Sequence, residues 1–254
     1  MNISIETMKI LSFSGGRTSA YMMANYACDL VIFTNTGKEA EGTLEFVRDC
    51  EQALNKPIIW LEYCDTAEKF KTISFDTASR KGEPFEALIR KRKYLPNQAT
   101  RFCSMELKAL TIKRYLKACG VDLHDTEMML GIRADEPNRY YKLKDNPRNT
   151  WENSMPLFRD GVTKEMVLEY WSKQPFDLLI NPYEGNCDLC FLKGMRKKTE
   201  LLRDKPQVAQ WWINMEELIG ATFHKGYKVR EVLDVSQTQT KLFDNDIECF
   251  CSID

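Results

Sequence analysis

The sequence predicts an α/β fold: an open parallel sheet with helices on both faces, followed by a smaller, mainly helical C-terminal region that carries cysteines. Three observations predict it. Short apolar β-type runs alternate with helical patterns as far as Tyr63, the signature of parallel strands joined by crossover helices. A Gly15-Gly16 turn ends the first of these runs. The 254 residues, 43% of them hydrophobic, supply one sizeable α/β domain with an appendage. The expected division is 1–183 and 184–254.

The elements follow in order. MKILSFSGG reads as a buried strand closed by a glycine turn, and TSAYMMANYA as a helix with a hydroxyl residue at its start. Asp29 to Thr34 is a second strand, Glu41 to Asn55 a helix, and Pro57 to Tyr63 a third strand. Residues 64–102 are rich in Lys, Arg and turn formers and read as loop, with one helical piece over Glu86 to Lys93. Ser104 to Cys119 is an amphipathic helix, with Leu107, Leu110, Ile112, Tyr115 and Leu116 near helical spacing. Glu127 to Ile132 is a fourth strand, Arg133 to Arg148 a polar loop, and Thr163 to Trp171 a helix. Residues 194–218 read as mostly helical with a break at Pro206, and the tail after Gly226 as weakly structured.

Composition narrows the chemistry. Thirty-six Lys and Arg against 37 Asp and Glu leave a net charge of −1, which argues against coating nucleic acid through bulk charge. No apolar run reaches the ~18 residues of a membrane span. MNISIETMKI lacks the basic-then-apolar pattern of a secretory signal, so a cytoplasmic protein is the expectation. Only His124 and His224 are present, which excludes a His-rich metal site. Nine cysteines, an odd number at uneven spacings, read as reduced thiols available to a metal, a cluster or redox chemistry, not as a disulfide framework.

Ser14-Gly15-Gly16-Arg17-Thr18-Ser19 falls where open α/β sheets bind ligands, at the carboxyl end of the first strand. Adjacent glycines let a phosphate approach the backbone without a Cβ clash. The amides opening the next helix offer an anion site, with hydroxyls at 14, 18 and 19 and the Arg17 cation as further donors. The loop is neither GxxxxGK[ST] nor GxGxxG. Asn186-Cys187-Asp188-Leu189-Cys190 is a C-x2-C pair able to give two thiolates to one metal.

The segment SFSGGRTSAYM resembles the SGGxxS pyrophosphate loop of the PP-loop ATP pyrophosphatases, the group that includes the phosphoadenosine phosphosulfate (PAPS) reductases. VIFTNTGKEAEGTLEFV is similar to the reductase segment in which Asp-Thr-Gly precedes a Pro-Glu-Thr helix start, with Asn35-Thr36-Gly37 in place of Asp-Thr-Gly. Arg101-Phe102-Cys103-Ser104 with Lys108 resembles the family's Arg-x-Cys-x(4)-Lys block. Gly131-Ile132-Arg133-Ala134-Asp135-Glu136 with Arg139 resembles its Gly-x-Arg-x-x-Glu block, and Pro156-Leu157 followed by VTKEMVLEYW a further segment. The likeness spans roughly residues 8 to 195.

That resemblance implies a Rossmann-like, PP-loop (HUP-type) sheet and an adenine nucleotide, ATP or PAPS/APS, with Mg2+. Its phosphates would lie on Ser14 to Ser19 and its adenosine near Phe33 to Gly37, with Arg101, Lys108, Arg133 and Arg139 neutralising charge. Reductase cluster cysteines occupy the block that holds Cys103, which makes it a third metal ligand beside Cys187 and Cys190. The remaining one would come from Cys249 or Cys251. Four thiolates suit a [4Fe–4S] cluster or structural zinc, and the resemblance favours iron–sulfur. Two features depart from the reductases. The chain ends Glu-Cys-Phe-Cys-Ser where they carry Glu-Cys-Gly-Leu-His, and Cys103-Ser104 stands where cluster-bearing members have Cys-Cys.

The implied chemistry is adenylation with pyrophosphate release coupled to sulfur chemistry, with Arg17 assisting. The alternative is thiol-dependent reduction with Cys249 as nucleophile and a thiol reductant or sulfur donor as partner. A non-catalytic nucleotide-binding subunit and a nucleic-acid-associated module using the cations of 80–93 and 193–203 are the rivals; solvated helix faces are the preferred explanation of those runs. Self-association into a homo-oligomer is left open.

Overall fold

The structure, a computed structural model, describes residues 7–144 and 150–238. Six strands form one sheet in the order β4-β3-β2-β1-β5-β6. The chain runs β1 (Met8–Phe13), α1 (Arg17–Asn25), β2 (Leu30–Asn35), α2 (Glu41–Ala53) and β3 (Ile58–Glu62), with β1, β2 and β3 parallel. An edge strand β4 (Lys71–Ile73) returns antiparallel to β3, and α3 (Glu83–Arg92) follows. A π-helical turn, Ser104–Ala109, continues into α4 (Leu110–Ala118), which leads to β5 (Thr126–Met129) on the far side of β1. Then come α5 (Pro137–Lys144), β6 (Glu152–Ser154), the short α6 (Pro156–Arg159) and α7 (Lys164–Ser172). Three helices end the described chain: α8 (Met195–Asp204), α9 (Ala209–Ile219) and α10 (Val229–Thr238).

Strand alternation sends successive residues to opposite faces of the sheet. Leu11, Phe13, Val31, Phe33 and Trp60 pack beneath α1, α2 and α7, where Phe46 meets Trp171 edge-on at 4.9 Å. Ile10, Ile32, Leu61 and Met128 face the opposite way, onto Ile112 and Leu116 of α4. Both faces are therefore covered, as near-continuous apolar strands require. A third cluster joins Tyr63, Phe85 and Leu107 to Leu189, Trp212 and Val232, so the C-terminal helices share one core with residues 63–107.

Several expectations are corrected. Residues 64–102 contain β4, and α3 begins at Glu83, three residues before the expected helical piece. The helix expected over 104–119 opens as a π turn. The expected loop 133–148 contains α5, a polar helix with no buried residue, and the tail after Gly226 contains α10, which buries Val229, Val232 and Ser236. No helix among the described residues is long and apolar enough to cross a membrane.

Asn35, at the end of β2, is a framework residue. Its Nδ2 donates to Glu62 Oε1 at 2.6 Å and to the Ser79 carbonyl at 2.8 Å, and its Oδ1 accepts from the Gly37 amide at 3.0 Å. Glu62 is fully buried and also accepts from Ser79 N, Ser79 Oγ and Lys71 Nζ. An aspartate at 35 would set two carboxylates against each other in this pocket. Asn35→Asp should lower stability by about 2–4 kcal/mol in chemical denaturation. The double variant Asn35→Asp/Glu62→Gln should recover most of that loss.

Candidate functional site

The strand order reverses at β1: β2 leaves to one side and β5 lies on the other. Open α/β sheets bind ligands in the crevice outside the carboxyl ends of strands at such a point. A cavity of about 330 Å³ opens there. Ser14 and Thr18 line it from the β1–α1 turn, Thr36 from the turn after β2, and Gly131, Arg133 and Arg139 from the segment after β5. Arg101, Cys103, Ser104, Leu107 and Lys108 contribute from the π turn and the residues before it. Asn186, Cys187, Cys190 and Lys193 come from the C-x2-C loop, with Phe85 and Trp212 as apolar walls.

The β1–α1 turn is held by its own hydroxyls. Ser19 Oγ accepts from the Ser14 amide at 3.1 Å, lies 2.9 Å from Ser14 Oγ and donates to the Gly16 carbonyl at 3.0 Å. Gly15 has φ +79°, and a Cβ there would stand 2.7 Å from Thr43 Cγ2, so only glycine fits. The first intrahelical bond of α1 runs from Ala20 N to Gly16 O, leaving the preceding amides without intrahelical acceptors. Across the crevice, buried Arg133 donates from Nη1 to Thr18 Oγ1 at 3.0 Å and from Nε to Asp135 Oδ1 at 3.0 Å. Burial favours the neutral Asp135 acid, but the hydrogen bond and charge of Arg133 outweigh it and hold the carboxyl below its ordinary value. Gly131 lies against α1, where a Cβ would make ordinary contact with Ser19 at 3.4 Å.

Arg17 takes a different direction. Its Nε and Nη2 fork onto Asp177 at 2.7 and 2.9 Å, Nη2 also reaches the Leu178 carbonyl, and Trp171 Nε1 donates to the Arg17 carbonyl. These bonds fasten α1 to the segment after α7, and Arg17 does not line the cavity. Gly15, Gly16, Ser19, Asn35 and Gly37 do not line it either.

The other end of the cavity is built by backbone zippering. Ala40 N donates to the Asn186 carbonyl at 3.0 Å and Asp188 N to the Lys38 carbonyl at 2.8 Å, which sets Cys187 against Glu39 and over Thr36. The π turn, a distortion frequent at functional sites, carries Lys108 to Glu39 Oε1 at 3.2 Å. Thr36 Oγ1 donates to the same oxygen, and the buried Oε2 has no partner. Burial works to strip the Lys108 proton, but Glu39, Cys187 and Cys103 outweigh it and hold the ammonium above the ordinary lysine value. Cys103 is pushed up to about 11 by burial and by the neighbouring Cys190. Cys187 is raised by burial and by Glu39, against a smaller opposing pull from Lys108.

The expected thiols Cys103, Cys187 and Cys190 thus share one cavity. In this conformation no group of three or more His, Cys, Asp or Glu among the described residues closes to metal-binding geometry. Cys249 and Cys251, the other expected ligands, lie outside the described residues. Glu39, Asn186 and Lys193 were not legible as site residues. Asn186 Nδ2 donates to the Ser14 carbonyl at 2.7 Å, and Lys193 Nζ to the Cys187 carbonyl at 2.8 Å. Their one sequence signal is proximity to Gly37 and to the C-x2-C pair.

Fold and cavity together define a class: an open, mostly parallel α/β protein with an anion-suited crevice at its strand-order reversal. No protein-family model matches the chain. It is 30% identical over 206 residues to the uncharacterized nin region protein ORF290 of Escherichia phage lambda, covering 75% of this chain and 68% of that protein. The chain belongs to the same family as this phage protein.

Removing Lys108 leaves the Glu39 carboxylate buried without its cation. Lys108→Met should cost about 3 kcal/mol or more in denaturant titration, and Lys108→Met/Glu39→Gln should cost clearly less than Lys108→Met alone.

Proposed function

We propose that this protein is an enzyme of the PAPS-reductase type within the PP-loop, HUP-like α/β class. It binds an adenine nucleotide in the crevice between β1 and β5 and acts at the α-phosphate or sulfur end. One observation carries the reading: segments that resemble the family at widely separated positions converge on one cavity at the strand-order reversal.

In this reading the phosphates lie over the Ser14–Ser19 turn, taking hydrogen bonds from the first-turn amides and Thr18. Arg133 presents a cation fixed by Thr18 and Asp135, and Arg139 a more exposed one at the lip. The loop at Thr36 and Gly37 faces the adenosine. Arg17 serves the fold, so charge neutralisation falls to Arg133, Arg139, Arg101 and Lys108. Adenylation is the leading chemistry, because the Ser14–Ser19 turn with Arg133 offers a polyphosphate both amide donors and a fixed cation. An acceptor oxygen attacks the α-phosphorus, the bond to pyrophosphate breaks, and the departing charge is taken up by amides and arginines. Mg2+ bound with the nucleotide supplies further neutralisation. The reductase alternative needs a thiolate nucleophile, and Cys249 is its candidate.

A metal at the thiol end would be held by Cys103, Cys187 and Cys190 with Cys249 or Cys251. An iron–sulfur cluster there supplies one-electron redox chemistry, and zinc a structural cross-link. Cys187 and Cys190 arrive on a loop sewn to the β2–α2 turn, so the metal-binding and nucleotide-binding ends share a wall.

Calorimetry with ATP and with a sulfonucleotide tests the nucleotide reading, with pyrophosphate and sulfite release assayed in parallel. Arg139→Ala should weaken nucleotide binding about tenfold with little change in stability; absence of binding by both ligands contradicts the reading. For the thiol end, elemental analysis after anaerobic purification should find iron and sulfide that Cys187→Ser abolishes. Stoichiometric zinc would reassign the metal, and a metal-free protein would remove it.

A further inference from the structure

Beside the cavity mouth the chain displays aromatic rings to solvent. Helix α5 buries no side chain, yet carries Tyr140 and Tyr141 in succession. Tyr140 stacks on Phe158 with ring centres 3.8 Å apart and planes 8° from parallel. Tyr141 stands edge-on to both rings, at 5.2 and 6.5 Å, and is 64% exposed, against 44% for Tyr94. A core has no use for a ring held in that position.

Cations accompany the rings. Arg139, one helical position before Tyr140, lines the cavity; Lys142 and Lys144 are exposed on the same helix, with Lys144 Nζ 5.7 Å from the Tyr140 ring centre. Glu136 pairs with Arg139 and Arg133, and Asp160 with Arg159 and Tyr26. Cations of the basic runs elsewhere are paired: Arg80 with Glu41, Arg90 with Glu86, Lys91 with Asp65, Arg92 with Glu106 and Arg196 with Glu200.

We propose that α5 and Phe158 form a binding platform for single-stranded nucleic acid. A base stacks on Tyr141, supported from behind by the Tyr140–Phe158 pair, and the flanking phosphates lie along Lys142 and Lys144. Stacking is available to any base with a free face, which a duplex does not offer, and the lysines add a salt-sensitive backbone contact. The platform goes beyond the nucleotide reading and does not rest on it.

Fluorescence anisotropy of the full chain with a labelled deoxythymidine dodecamer, against a duplex of the same length and over a salt series, tests it. The single strand should bind more tightly than the duplex. Tyr141→Ala should weaken it about fivefold or more at every salt concentration without altering the salt slope, and Tyr141→Trp should retain binding. Lys142→Gln/Lys144→Gln should flatten the slope of log affinity against log salt by about 1.4. No single-strand binding at low salt, equal affinity for the duplex, or a Tyr141→Ala variant indistinguishable from the parent would overturn the proposal. So would competition by polyglutamate at equal charge concentration as effective as that by the unlabelled strand, because it would reduce the surface to a bare cation patch.

Discussion

The chain's chemistry depends on a topological constraint at β1. Because its two neighbours belong to connections that leave in opposite directions, the turns after β1 and β5 separate at the carboxyl edge of the sheet. Two glycines and a buried cation shape the edges of that gap. Gly15 adopts a left-handed backbone with no room for a Cβ, Gly131 runs close against α1, and Arg133 spans the crevice to Thr18. Together these interactions hold a concave, donor-lined edge open.

A second constraint operates at the other end, where charge is buried. Lys108 and Glu39 meet beneath the cavity, with one carboxylate oxygen satisfied twice and the other unpartnered. Two thiols close to this pair, Cys103 and Cys187, are shifted towards their protonated form by burial first and then by neighbouring groups. A metal that replaced their protons would relieve that repulsion, which is the usual coupling between thiolate ligation and pH. The cavity therefore has two characters: hydroxyls and Arg133 beside the β1–α1 turn, and thiols with Lys108 and Lys193 beside the C-x2-C loop.

The strands β1, β2, β3 and β5 were legible because each is apolar on both faces, and α1, α2 and α7 because their periodic residues meet that sheet. What was not legible has physical reasons. Lys71–Ile73 and Glu152–Ser154 are three-residue edge strands held by backbone pairing, without an apolar alternation to announce them. Helix α5 presents no apolar stripe, and α10 finds its partners in α8 and α9, a contact that only the tertiary fold creates. Ser14, Thr18, Arg133 and Cys187, singled out from motif and spacing, line one cavity. The pairing of Arg17 with Asp177 was not legible, because a loop cation beside a glycine turn suits a phosphate as well as a carboxylate, and position along the chain cannot tell the two apart. Glu39 escaped because a lone glutamate carries no signal until Lys108, sixty-nine residues away, is seen against it.

The chain is kin to the phage lambda protein, and the direct test of the crevice is structural. Crystals grown or soaked with ATP or a sulfonucleotide should show the phosphate chain cupped by residues 14–19, with an oxygen within hydrogen-bonding distance of Thr18 or Arg133. Density for the ligand at any other place, with that hollow still free of it, would contradict the account.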